Sequence, residues 1–342
     1  MLLLTQTDRT IRAHLADQLA DVESRFATEL ISDLPCVNSL VTHVERYRGK
    51  MLRPTLVLVS GLATAEAPGR PSEPHRVLAT VVEMVHVATL VHDDVLDEAT
   101  IRRRGDTVNR LNGNEVAVML GDYLISHAYH LCSSLGNPTV SRIIADATNT
   151  VCEGELLQLD NRDNWNLDER TYFEIIRRKT ASLCGTCCKL AVMLNDSPDT
   201  VADALYDYGE KLGIAFQIVD DLLDLIGSED TVGKTLGRDL QKGKLTLPLI
   251  HHLTSADAPR REKLHTLLRD HAGSVRGDGD GPDNGRALAI RDLLSTSGSV
   301  GYARDRAARL VNLAKAALEN LADGPARTLL ADVADAVLTR KY

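Results

Sequence analysis

Asp93 and Asp97 stand four residues apart in the run HDDVLDEATIRRRG, at the end of an apolar stretch. On a helix that spacing stacks two carboxylates on one face, where they repel each other. A shared divalent cation removes the repulsion. Mg2+ suits such a seat because it takes one or two carboxylates and completes its shell with water and phosphate oxygens. The same pattern returns at Asp220, Asp221 and Asp224, again inside an apolar run. With 32 Asp in 342 residues, three Asp at fixed positions arise by chance about 0.3 times per chain, so one match alone is weak. Two matches carry weight, because a solvated acidic face would not surround the acids with Val91, Val95 and Leu96, or with Val219, Leu222 and Leu223. Two clusters facing each other, each holding Mg2+, make a seat for a diphosphate.

The basic complement is present. Lys50 and Arg53 lie in YRGKMLRP, Arg102, Arg103 and Arg104 follow the first cluster, and Lys179 precedes Thr180. Lys234, Arg238, Lys242 and Lys244 punctuate the Gly-containing segment 227–244 after the second cluster. Singly each is an ordinary solvated charge; with two acid clusters they form an anion pocket in a protein of net charge −9. That acidic balance argues against a nucleic-acid partner. A flexible Lys-bearing segment could close over bound phosphate and exclude water.

The elements that must position these residues are helices. Val140, Ile143, Ile144, Ala147 and Val151 keep a 3,4 spacing, as do Leu205, Tyr208, Leu212, Ala215, Val219, Leu222 and Ile226. Residues 303–321 are rich in Ala, Leu and Arg, and aromatic residues make up only 4%. The expectation is an all-α chain. Breaks are expected at 67–74, 112–114, 136–138, 161–166, 195–199 and 227–244, each joining helices without a shift in composition, so 1–342 reads as a single domain. A loop with five glycines is expected over 273–285. No run approaches the ~20 apolar residues of a membrane-spanning helix, and no basic-then-apolar leader opens the chain, so a cytoplasmic protein is expected. Six cysteines in so long a chain read as reduced thiols rather than a disulfide framework. Cys184, Cys187 and Cys188 read as core residues.

From YRGKMLRP through EMVHVATLVHDDVLDEATIRRRGDTVN, VAVMLGDYL, EGELLQL, RRKTASL and GIAFQIVDDLLD to VGKTLGRDLQKGKLTLPL, the chain resembles the trans-isoprenyl diphosphate synthases, or polyprenyl synthetases. The likeness is to their long-chain members and covers nearly the whole length. It implies one large helical bundle around a central hydrophobic cavity, a homodimer, and three Mg2+ per site. Asp93 and Asp97 would bind two of these ions, and Asp220 with Asp224 the third. Lys179, Gln217 and Lys234 would hold the allylic diphosphate, with Arg102 contacting it. Lys50, Arg53, His86 and Arg103 would bind the diphosphate of isopentenyl diphosphate. Thr180 and Gln217 would lie near the developing cation. Counting from Asp93 favours Arg102 and Arg103 as the functional pair, whereas counting back from Gly105 favours Arg103 and Arg104. Arg48 stands where the family usually has Gly.

Ala88 and Thr89 precede Asp93 by five and four residues, on the helical face along which a growing prenyl tail would run. Both are small. The resemblance implies that a bulky aromatic here stops elongation early, so a long-chain product of octaprenyl class is expected, with a transient membrane contact for its release compatible with the chain. The alternatives are a farnesyl- or geranylgeranyl-forming synthase, a class I terpene cyclase, and a regulatory subunit of a two-chain synthase. Both acid clusters being intact argues against the last two.

Overall fold

The computed structural model describes residues 9–47, 49–66, 71–103, 105–226, 238–274 and 284–340. Helices α1 (Arg9–Glu29), α2 (Pro35–Val44) and α3 (Leu52–Ala63) lead to α4 (Glu73–Leu96), which carries the first acid cluster at its end. A hairpin of two-residue strands follows, β1 (Ile101–Arg102) pairing antiparallel with β2 (Gly105–Asp106). Next come α5 (Val108–Asn112), α6 (Asn114–Ser133), α7 (Pro138–Asp160) and α8 (Glu169–Ile176). A π-helical turn, Arg177–Ala181, joins α8 to α9 (Ser182–Met193). The long α10 (Asp199–Ile226) carries the second cluster. After it stand α11 (Arg238–Gln241), α12 (Leu247–Ser255), α13 (Ala258–Ser274), α14 (Asn284–Thr296), α15 (Ser299–Ala317) and α16 (Pro325–Leu338). The all-α expectation is met.

Local chemistry explains where the helices start. Pro138 opens α7, and the Asn137 side chain accepts from the backbone N–H groups of Thr139 (3.0 Å) and Val140 (3.2 Å). Asp168 caps α8 by accepting from Thr171 N–H at 2.7 Å. The expected breaks at 112–114, 136–138, 161–166 and 195–199 coincide with helix ends. Of the loop expected over 273–285, Gly273 and Ser274 fall in α13 and Asn284 and Gly285 in α14, while 275–283 lie outside the described residues. The 303–321 helix loses its regular turn at Ala317, where residues 318–320 tighten to a 3-10 turn.

Burial assembles the site. The α9 helix is buried over most of its surface, with Leu183, Cys184, Cys187, Cys188, Leu190, Ala191 and Val192 buried and Lys189 its one partly exposed charge, so it occupies the middle of the bundle. It packs against α3, α7 and α10. The α4 helix packs against α1, α3 and α6, and α10 against α9, α15 and α16. The three cysteines are free, and burial pushes their thiols up, as expected of core residues. Among the described residues no helix is long and apolar enough to cross a membrane.

Candidate active site

The first cluster divides its labour. Helix α4 stops at Leu96, and the backbone N–H of Asp97 donates to the Asp93 carbonyl at 2.8 Å, which stacks Asp97 one turn beyond Asp93 as its spacing predicts. Asp94, between them, is turned inward and 1% exposed. It accepts from Arg102 Nε at 2.9 and 3.0 Å and from Arg102 Nη2 at 2.8 Å. Arg102 therefore braces the end of α4 through Asp94. The arginines also do not continue the helix, because the chain leaves it and turns back in the β hairpin.

Asp97 lies in a cage of cations. Lys242 Nζ stands 2.8 Å away, Lys244 Nζ 3.2 Å and Arg162 Nη2 3.4 Å. Burial works against the charge on Asp97, but Lys244, Lys242 and Lys179 outweigh it and hold the carboxyl below its ordinary range. Lys179 reaches Asp93 at 3.6 Å and pairs with Glu155 from α7. Burial opposes its charge, but Asp93 and Glu155 keep it protonated.

Neighbouring residues of the π-helical turn reach the two clusters. An inserted residue in a helix rotates the side chains that follow, and here Lys179 points to Asp93 while Thr180 Oγ1 donates to Gln217 Oε1 on α10 at 3.1 Å. Gly154 lets α7 approach this turn: a Cβ there would sit 2.5 Å from Lys179 N. Gln217 Nε2 in turn donates to Asp221 Oδ1 at 2.8 Å, and Tyr172 OH to Asp221 Oδ2 at 2.6 Å. Burial and Asp239 push the Asp221 carboxyl up, opposed by those two donors. Asp221 is thus the inward-turned middle acid of the second cluster, as Asp94 is of the first. Asp220 is about one third exposed and receives Arg340 Nη2 at 3.4 Å. Asp224 is buried and accepts from Asp239 N–H at 3.1 Å.

A second bridge runs back from there to the first cluster. Lys244 N–H donates to the Asp239 carbonyl at 2.9 Å, and Gly243 accepts from Asp163 N–H at 2.9 Å, which aims Lys242 and Lys244 at Asp97. The two acid clusters therefore share one site, tied through 179–180 on one side and 239–244 on the other.

A basic recess adjoins it. Lys50 is pushed down by burial and by Arg340 and Arg103, against Asp220, so these four residues lie together. Burial with Arg53, Arg103 and Arg102 holds His86 well below the ordinary imidazole value, which leaves it neutral. Arg103 takes a left-handed backbone (φ 48°) at the hairpin turn, beside the buried Glu83. It lies so close over Gly49 that a Cβ there would meet its guanidinium at 2.1 Å. Arg53 Nε, and Arg340 Nε and Nη1, are buried with no hydrogen-bond partner among the described residues. Such orphaned donors suit an incoming anion. Lys234 lies outside the described residues. Ala88 is fully buried on α4, and Thr89 OH donates to the His86 carbonyl at 2.7 Å.

The donors fit a hard divalent ion. Asp93, Asp97 and Asp220 offer oxygen donors only, and a Lys or Arg side chain pairs with each. Among the described residues no three acids, histidines or cysteines come together as a ready cage. Oxygen donors of this kind suit a hard divalent ion, which completes its shell with water and phosphate. Sequence reasoning did not single out Arg162 or Tyr172, whose partners Asp97 and Asp221 lie 65 and 49 residues away, and it reached Glu155 and Asp239 only as parts of longer motifs. Arg340, near the end of the chain, lies beside Asp220 and Lys50 in the same site.

The family model for polyprenyl synthetase matches residues 35–277. The chain is 32% identical to octaprenyl diphosphate synthase of Escherichia coli (strain K12) over 327 residues, 95% of this chain and 96% of that protein. Its fold is similar to a decaprenyl diphosphate synthase from Rhodobacter capsulatus (TM-score 0.86, 34% identity, 96% of this chain and 97% of the other). It is similar, too, to a polyprenyl synthase from Caulobacter crescentus CB15 complexed with calcium and isoprenyl diphosphate (TM-score 0.88, 30% identity, 99% of both chains). With acid clusters, lysine bridges and basic recess in one bundle, the chain belongs to the polyprenyl synthetase family of prenyltransferases.

Proposed function

We propose that this chain condenses isopentenyl diphosphate with an allylic prenyl diphosphate, using Mg2+, and repeats the step to give an all-trans polyprenyl diphosphate of octaprenyl class. The observation that carries the reading is the double tie between the clusters, through Lys179–Thr180 and through Asp239–Lys244. Asp93 and Asp97 would hold two ions and Asp220 with Asp224 a third; bound there, Mg2+ supplies positive charge to the diphosphate as it leaves. Lys179, Lys234, Lys242 and Lys244 would bind the same diphosphate, and the allylic C–O bond would break with its electron pair going to the departing oxygen. Thr180 and Gln217 present oxygen near the resulting allylic cation. Lys50, Arg53, His86, Arg103 and Arg340 would orient isopentenyl diphosphate, whose π electrons form the new C–C bond. The diphosphate then takes the proton whose loss restores the alkene. Neutral His86 can donate one hydrogen bond without adding a charge.

The small side chains of Ala88 and Thr89 support a tail path along α4. We also propose that residues 1–342 act as one domain, in a cytoplasmic homodimer for which exposed Val118 and Met119 of α6 offer an apolar face. The test is purified chain with Mg2+, isopentenyl diphosphate and farnesyl diphosphate, with product length read by chromatography. Octaprenyl diphosphate from the parent and a shorter product from Ala88→Tyr support the reading. A farnesyl or geranylgeranyl end product from the parent overturns the long-chain assignment, and unchanged length in Ala88→Tyr overturns the tail path.

A further inference from the structure

Tyr172 on α8 is 3% exposed, and its hydroxyl points at Asp221. Three hydrogen bonds then run in series. Tyr172 OH donates to Asp221 Oδ2 at 2.6 Å, Gln217 Nε2 donates to Asp221 Oδ1 at 2.8 Å, and Thr180 Oγ1 donates to Gln217 Oε1 at 3.1 Å. The directions are linked. Tyr172 and Gln217 both donate to Asp221, so Gln217 turns its NH2 towards Asp221 and its carbonyl towards Thr180. The hydroxyl of Thr180 has one proton, and that carbonyl takes it. Its oxygen lone pairs then face away from Gln217. Were Asp221 to swing, the Gln217 amide could flip and the Thr180 proton would be free to point elsewhere.

The helix that carries Tyr172 is braced. Glu169 lies three residues earlier, on the same face, and both its oxygens are 2.8 Å from Tyr302 OH of α15. Arg306 of α15 adds a 3.2 Å ion pair to Glu169, and its guanidinium lies 4.9 Å from the centre of the Phe173 ring. Brackets on both sides of Tyr172 fix the rotation of α8, and with it the phenol oxygen.

We propose that Tyr172 is a positioning residue for prenyl transfer. Through Asp221 it sets the Gln217 amide, and through that amide it turns the Thr180 oxygen towards the place where allylic positive charge develops. Preorganised dipoles act on a barrier only if they are already aimed when charge appears. The inference rests on the prenyl-transfer reading above, and its test separates the two.

Tyr172→Phe removes the hydroxyl and keeps the ring in place. The expected result is a fall in kcat of about tenfold, with KM for isopentenyl diphosphate unchanged and the thermal midpoint within a few degrees of the parent. In a Gln217→Ala background the relay is already cut, so Tyr172→Phe should lower kcat no further. Asp221→Asn, which sets an amide donor where an acceptor stood, should lower kcat by a comparable factor and serves if Tyr172→Phe fails to fold. An active parent with kcat unchanged in Tyr172→Phe, or in Asp221→Asn, overturns the positioning role. So does a tenfold fall that persists in the Gln217→Ala background. A parent that forms no prenyl product overturns the functional reading itself, and this inference with it.

Discussion

Asp97 carries more positive charge around it than one carboxylate can balance: Lys242, Lys244 and Arg162 lie within 3.4 Å, and Lys179 also acts on it. A metal ion that arrives alone must displace an ammonium from that carboxylate, whereas one that arrives with diphosphate brings negative charge for the lysines to bind. In the absence of diphosphate, Lys242→Gln should therefore bind Mn2+ more tightly than the parent. The gain expected for a partly exposed charge is under about 1 kcal/mol, or roughly threefold. Electron paramagnetic resonance titration of free Mn2+ measures it, and equal or weaker affinity would show that Lys242 does not guard Asp97. At this scale the sequence was legible where partners are local. Asp93 and Asp97 are four residues apart, and that interval alone predicts their stacking. Arg162 with Asp97, Tyr172 with Asp221 and Arg340 with Asp220 are separated by 65, 49 and 120 residues, and no periodicity links positions so distant. Arg102 was visible as a charge, but its Asp94 partner depends on a hairpin that begins only after α4 has ended.

At the scale of elements, the site depends on where short helices begin and how closely they pass. Helix α8 is only eight residues long, too short to be stable by propensity, and it carries Tyr172 and leads into the turn that carries Lys179 and Thr180. Asp168 holds its start. Asp168→Ala should lower global stability, seen as a lower midpoint of urea denaturation, and should lower kcat as well if α8 sets the relay. Lost stability with full activity would mean that Glu169 and Arg306 suffice to hold α8. The helices themselves were readable, because apolar residues at 3,4 spacing along 140–151 and 205–226 require one buried face. The π-helical turn at 177–181 was not readable, since an inserted residue leaves no mark in composition. Its consequence, that adjacent Lys179 and Thr180 serve opposite clusters, comes from coordinates alone.

For the whole molecule, one buried helix organises the rest. Helix α9 packs against α3, α7 and α10, so the helix that begins beside Lys50 and bears Arg53, and the helix that bears the second acid cluster, lean on a common post. Motif order along the chain gave the family resemblance. It did not give the C-terminal closure, in which Arg340 returns to Asp220 and lies 3.8 Å from the centre of the Phe216 ring. The central claim is that the acid clusters of α4 and α10 grip a single diphosphate through divalent ions. Crystals grown with Mn2+ and inorganic pyrophosphate test it directly, by anomalous scattering at the manganese edge. Manganese peaks in coordination distance of Asp93 and Asp97, and another at Asp220, all bound to one shared pyrophosphate, are the predicted result. Ions confined to one cluster, or a pyrophosphate held without any ion at Asp220, would contradict the account.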